Sequence, residues 1–101
     1  MRTITIVKKQ EELQKFCKNN GIVYLGLFGS YARGDSNPSS DVDLLFELDK
    51  QNTYSLFDIG KMQYELEKIL DRHVDFVERN NIKSEFKPYI FSDLISIYEK
   101  R

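Results

Sequence analysis

Residues Gly26–Leu48 read "GLFGSYARGDSNPSSDVDLLFEL". A Gly-Ser pair and a loop of small and polar residues lie between two apolar runs, and the second run opens with aspartates one residue apart. A carboxylate beside a core costs folding energy unless it is partnered. What partners Asp41 and Asp43 therefore bears on both the fold and the chemistry. Side chains alternate along a strand, so Asp41 and Asp43 share one face while Val42 and Leu44 take the other. Two carboxylates about 7 Å apart along a strand repel unless a cation lies between them. An all-oxygen set suits Mg²⁺ or Mn²⁺, whereas zinc would call for His or Cys.

The run on the other side of the loop, "IVYLGLF" (Ile22 to Phe28), is continuously β-branched, aromatic and apolar. It predicts a strand covered on both faces. Gly29 and Ser30 end it and open a helical turn through Gly34. Glycine lets a phosphate approach the backbone, free N–H groups at a helix start face an anion, and the Ser30 hydroxyl adds a donor. Arg33, one turn on, could pair with a phosphate oxygen, or with Asp35. Ser40 reads as a hydrogen-bonding residue at the strand entry or as a supporting contact of the site. A polyphosphate held at Gly29 and Ser30 would reach cations held by Asp41 and Asp43, which describes a nucleoside triphosphate with Mg²⁺.

Outward from this segment, Lys8–Asn20 predicts a helix with Leu13, Phe16 and Cys17 inward and a stop at "NNG". "TITIV" (Thr3 to Val7) alternates like a short terminal strand. Asn52–Leu70 predicts a long helix with Ile59, Met62, Leu66, Ile69 and Leu70 in one stripe. "HVDFVE" (His73 to Glu78) predicts a third strand, with His73, Asp75 and Val77 on one face. Asp75 is the third candidate carboxylate, provided its strand lies beside that of Asp41 and Asp43. Three carboxylates on neighbouring strands can hold two cations, as in phosphoryl and nucleotidyl transfer. His73 is the single histidine and reads as a surface residue at a strand end. A last helix is expected from Pro88, burying Ile90, Phe91, Leu94, Ile95 and Tyr98. The sum is a small α/β or α+β domain over residues 1–101, with a three- or four-stranded sheet and helices packed on it.

Composition bounds the function. The chain has 101 residues, 31% charged and 41% hydrophobic, which suits a globular domain. A net charge of -1 gives no overall basic field for nucleic acid. No apolar run approaches the roughly 20 residues of a membrane span, and the N-terminus lacks the apolar core of a signal peptide. Cys17, the only cysteine, excludes an intrachain disulfide and makes a reducing, cytoplasmic setting the default.

Asp-x-Asp alone is common in turns and at strand ends. Here it follows Gly29-Ser30 by ten residues and sits in a strand context with Asp75 downstream. "GSYARGDSNPSSDVD" resembles the Gly-Ser, spacer, Asp-x-Asp motif of the nucleotidyltransferase superfamily that includes DNA polymerase beta. Together with "LEKILDRHVDFV" and "KPYIFSDLISIYE", the chain from about Ile22 to Glu99 is similar to the minimal nucleotidyltransferase (MNT) family. That resemblance implies a polymerase-beta-like palm, Asp41, Asp43 and Asp75 as the metal triad, and Gly29 and Ser30 as phosphate contacts. It implies an antitoxin paired with a HEPN-domain toxin, which moves AMP from ATP onto a toxin tyrosine. The alternative is a binding module that silences its partner by covering it. A chain of this length leaves little beyond the palm, which argues against a small-molecule transferase or a processive polymerase. Two positions depart from the pattern. Tyr31 stands where many relatives have Arg, and Asp71 where Gly often precedes the third-aspartate strand.

Overall fold

The computed structural model describes residues 8–37, 39–51 and 53–100. The strand expected at Thr3–Val7 lies outside the described residues. Helix α1 (Gln10–Asn20) places Glu11 and Glu12 in its first turn and Lys18 in its last, matching the helix dipole. It buries Leu13, Phe16 and Cys17, and Gly21 ends it in the left-handed conformation. Strand β1 (Ile22–Phe28) runs into a five-residue helix, α2 (Gly29–Arg33). Strand β2 (Val42–Leu48) returns antiparallel to β1.

Helix α3 (Leu56–Leu70) starts later than the sequence pattern suggests because Ser55 and Asp58 form a capping box. The Ser55 hydroxyl accepts from the Asp58 N–H at 3.2 Å, and the Asp58 carboxylate accepts from the Ser55 N–H at 2.8 Å. Met62, Leu66 and Leu70 are buried, and Ile59 and Ile69 pack at the margin of the same core. Asp71 then turns the chain with φ 53°, and strand β3 (Val74–Glu78) lies parallel to β2. Two single-turn 3₁₀ segments lead to helix α4 (Lys87–Ser92) and strand β4 (Ile95–Glu99).

The result is a mixed four-stranded sheet in the order β3-β2-β1-β4, with helices packed on it. The predicted α/β class holds, but the C-terminal helix is corrected. The helix from Pro88 is only six residues long and ends before Asp93. Ile95 to Glu99 pair antiparallel with β1 instead. Of the apolar face expected there, Ile95 is 44% exposed, and Ile97, which is not part of it, is buried instead. The spacing of Phe91, Leu94, Ile95 and Tyr98 fits a helix. The free edge of β1, with a row of unmatched N–H and C=O groups, draws the β-branched "ISI" segment (Ile95 to Ile97) into the ladder.

The main core lies under one face of the sheet, where Leu25, Leu27, Leu44, Phe46 and Val74 meet Leu13, Phe16, Met62 and Leu66. The opposite face of β1 is covered too. A Cβ on Gly26 would meet the Leu94 side chain at 2.7 Å and the Tyr24 hydroxyl at 2.8 Å, so a larger residue there would have to displace one of these side chains. Among the described residues, no helix is long and apolar enough to cross a membrane.

Candidate active site

The parallel register of β2 and β3 sets Val42 opposite Val74 and Asp43 opposite Asp75. It is carried past the strand start by the Val42 N–H, which donates to the His73 carbonyl at 2.9 Å. Val42, Leu44 and Val74 are at most 1% exposed on the core side. Alternation therefore sends Asp43 and Asp75 to the other face. Asp41 immediately precedes β2 and is in line with His73 on its neighbour.

Asp43 is half-buried, and its carboxyl is pushed up to about 6. Burial is the main cause, followed by a hydrogen bond shared with Asp75 and the negative charges of Asp75 and Asp41, while Arg33 pulls the other way. Without a cation, a proton relieves the repulsion among these carboxylates. A hard divalent cation offers the same relief more strongly and suits an all-oxygen donor set. On the chemistry of its donors, the site fits Mg²⁺ or Mn²⁺.

Gly29 follows the Phe28–Asp43 cross-strand pair and has φ 75°. A Cβ there would run into the Asp43 carboxylate, so two constraints call for glycine: a left-handed backbone and the space above Asp43. Ser30 is half-buried at the start of α2, and its carbonyl accepts from the N–H groups of Gly34 and Asp35 at 2.9 and 3.0 Å. The loop side of the site is thus a glycine-led helical turn against a carboxylate.

The two other candidates have partners already. Arg33 donates through Nε to Asp35 at 3.2 Å and through Nη1 to Asp93 at 2.8 Å, so it joins α2 to the turn before β4. The Ser40 hydroxyl accepts from the Asn37 N–H at 2.9 Å and closes the loop before β2. Of the two departures from the family pattern, Tyr31 is buried and its hydroxyl accepts from Arg72 Nε at 3.1 Å. Asp71 occupies the left-handed position that closes α3, a conformation glycine adopts without strain. Cys17 lies in the core, where burial pushes its thiol up to about 12, and it takes no part in the site.

His73 is exposed, as its place at a strand end predicts. The fold nevertheless sets its Nδ1 3.4 Å from Asp41 Oδ1 and its Nε2 3.8 Å from Glu67 Oε2. The signal was present in the alternation that put His73 on the same face as Asp75. What the alternation could not supply was the register with β2.

Three carboxylates thus converge from adjacent strands beside a glycine-led turn on a mixed sheet. The chain belongs to the nucleotidyltransferase domain family, which matches residues 10–98. A relative from Methanocaldococcus jannaschii, provisionally named a protein adenylyltransferase, is 33% identical over 100 residues, covering 96% of this chain and all of the relative. The protein adenylyltransferase MntA of Thermococcus cleftensis is 29% identical over 97 residues, 96% of this chain and 92% of that one. Among solved structures, a toxin–antitoxin complex with AMP-PNP superposes with a TM-score of 0.74 at 19% identity, over 91% of this chain and 74% of that one. A tri-AMPylated HEPN toxin of Shewanella oneidensis in complex with its MNT antitoxin superposes at 0.68 and 17% identity, over 99% and 74%. These two likenesses are of fold.

Proposed function

We propose that this chain is a Mg²⁺-dependent protein adenylyltransferase, an antitoxin that transfers AMP from ATP to a tyrosine of a partner HEPN toxin. One observation carries the reading. The β2/β3 register gathers Asp41, Asp43 and Asp75 beside Gly29, where burial first and the neighbouring carboxylates second raise the Asp43 carboxyl. A surface used only for contact has no need of such crowding. The names of the relatives and the AMP-PNP and AMPylated-toxin complexes of the fold neighbours support the choice of nucleotide, transferred group and partner. The whole chain, residues 1–101, is read as one minimal nucleotidyltransferase domain.

In this reading Asp41, Asp43 and Asp75 hold two Mg²⁺ ions, with Mn²⁺ an alternative. Bound there, the metal would neutralise charge on the leaving pyrophosphate and acidify the acceptor hydroxyl. Gly29 and Ser30 carry the phosphates. Arg33 joins them by exchanging Asp35 or Asp93 for a phosphate oxygen, and Ser40 supports the loop that brings Asp41 into place. The tyrosine oxygen bonds to the α-phosphorus as the bond to pyrophosphate breaks. Asp75, exposed at the β3 side, takes the hydroxyl proton.

The test is incubation of a HEPN-type partner with this protein, ATP and Mg²⁺, followed by mass spectrometry. The partner should gain one AMP unit or a multiple on tyrosine and stay inactive once this protein is removed. Asp41→Asn with Asp43→Asn should lower transfer by about a thousandfold or more, roughly 4 kcal/mol in barrier. A partner of unchanged mass that is silenced only while bound would establish the covering module instead.

A further inference from the structure

The parallel register pairs more than the carboxylates. Asp43 faces Asp75, and two residues earlier Asp41 faces His73, so the exposed side of β2 and β3 carries a square of three carboxylates and one imidazole. Asp41, His73 and Asp75 can each offer one ligand atom, all within 4.8 Å of one another. A six-coordinate ion with bonds of about 2.1 Å spans its ligands at about 3 Å when adjacent and about 4 Å when opposite. Small side-chain rotations would close the three onto one ion. As a plain ion pair, His73 accomplishes little. It is 63% exposed, and its two carboxylate neighbours stand at 3.4 and 3.8 Å. Exposed pairs at such distances contribute little or nothing measurable to stability.

The way His73 is held fits a metal ligand better. Its backbone is anchored in the sheet by the Val42 N–H. Its Nδ1 looks toward Asp41, and its Nε2 looks toward Glu67. Glu67 is itself fixed, accepting from the Val74 N–H at 3.0 Å. A histidine that ligates through one nitrogen normally presents the other to a carboxylate, which sets the tautomer and the ring orientation. Glu67 on α3 is the carboxylate facing Nε2, 3.8 Å away, and would have to close to about 3 Å to accept its N–H, leaving Nδ1 for an ion shared with Asp41 and Asp75.

We infer that His73 completes a mixed oxygen–nitrogen ion site with Asp41 and Asp75, oriented by Glu67, so that this one position binds Mn²⁺ more tightly than the Mg²⁺ that also serves the transfer. The inference rests on the reading of Asp41 and Asp75 as ion ligands and adds the imidazole to it. Mg²⁺ keeps to oxygen ligands, whereas first-row transition ions gain from an imidazole nitrogen, Mn²⁺ the least of them.

Mn²⁺ alone, titrated into the purified protein and followed by electron paramagnetic resonance, tests it. Bound Mn²⁺ should show imidazole nitrogen coupling in pulsed spectra. His73→Gln should erase the coupling and weaken Mn²⁺ by about tenfold or more, the loss typical even of an outer partner of a metal ligand. Mg²⁺ affinity, read by competition, should not move. Glu67→Gln should keep the nitrogen coupling but weaken Mn²⁺. Bound Mn²⁺ without nitrogen coupling, or an equal loss of both ions in His73→Gln, overturns the inference. Stabilisation by Mg²⁺ and ATP, measured separately by thermal shift, would then still stand for the nucleotidyltransferase reading. Loss of that stabilisation as well as of Mn²⁺ binding would sink both.

Discussion

Strands β2 and β3 have two faces, and one residue step separates them. Val42, Leu44 and Val74 are shut into the core, while Asp43 and Asp75 between them point away from it. The core face stabilises through apolar burial and close packing. The other face carries three carboxylates, and burial together with the charges of its neighbours raises Asp43's hold on a proton. The two faces teach that stability and chemistry can be interleaved on a single segment without interfering. A period of two keeps them on opposite sides of one backbone, and the same hydrogen bonds rigidify both. The difference also predicts that neighbouring substitutions will have opposite signs.

The largest contrast is within β2. Leu44→Ala should cost about 3 kcal/mol of stability, the usual range for a buried leucine, read from denaturant melts. Loss of less than about 1 kcal/mol would mean that the core side tolerates a void and that the two faces are less distinct than described.

Asp43→Asn, one residue away, should raise stability in metal-free buffer at neutral pH. The folded Asp43 carboxyl lies near 6, above its ordinary 3.8. The native state therefore holds a proton that the unfolded chain has released between about pH 4 and pH 6. Stability contributed by that proton is present below pH 4 and is lost as pH rises through 6. Wild type and Asp43→Asn should melt alike near pH 4 and diverge above pH 6, the variant higher by a few degrees. The shift is of the order of 1 kcal/mol because water screens a half-buried group. Parallel pH curves would show that the fold does not raise the Asp43 carboxyl.

The smallest effect belongs to the turn that delivers β3 to its register. Asp71 holds a left-handed conformation that disfavours any side chain. Asp71→Gly relieves that strain but loosens the unfolded chain, for a net gain of about 0.5–1 kcal/mol. A loss of stability would mean that the aspartate side chain, and not the backbone turn, holds α3 against β3.

Much of the site could be read from local pattern. The Gly29-Ser30 pair, the two-residue spacing of Asp41 and Asp43, the strand around Asp75 and the apolar stripe of α3 are all properties of single elements. Their periodicity survives whatever the elements pack against. The chain itself determined that Asp41 and Asp43 share a face, because strand geometry leaves no other choice. Only the tertiary structure decided that β3 lies parallel beside β2 in a register that brings Asp75 to Asp43 and His73 to Asp41. It also decided that Ile95–Glu99 extends the sheet when its apolar spacing allowed a helix, and that Arg33 spans to Asp93, sixty residues away. Strand pairing is written in backbone hydrogen bonds between distant segments. Those groups are chemically the same at every residue except proline, so no side-chain pattern within one segment specifies its partner.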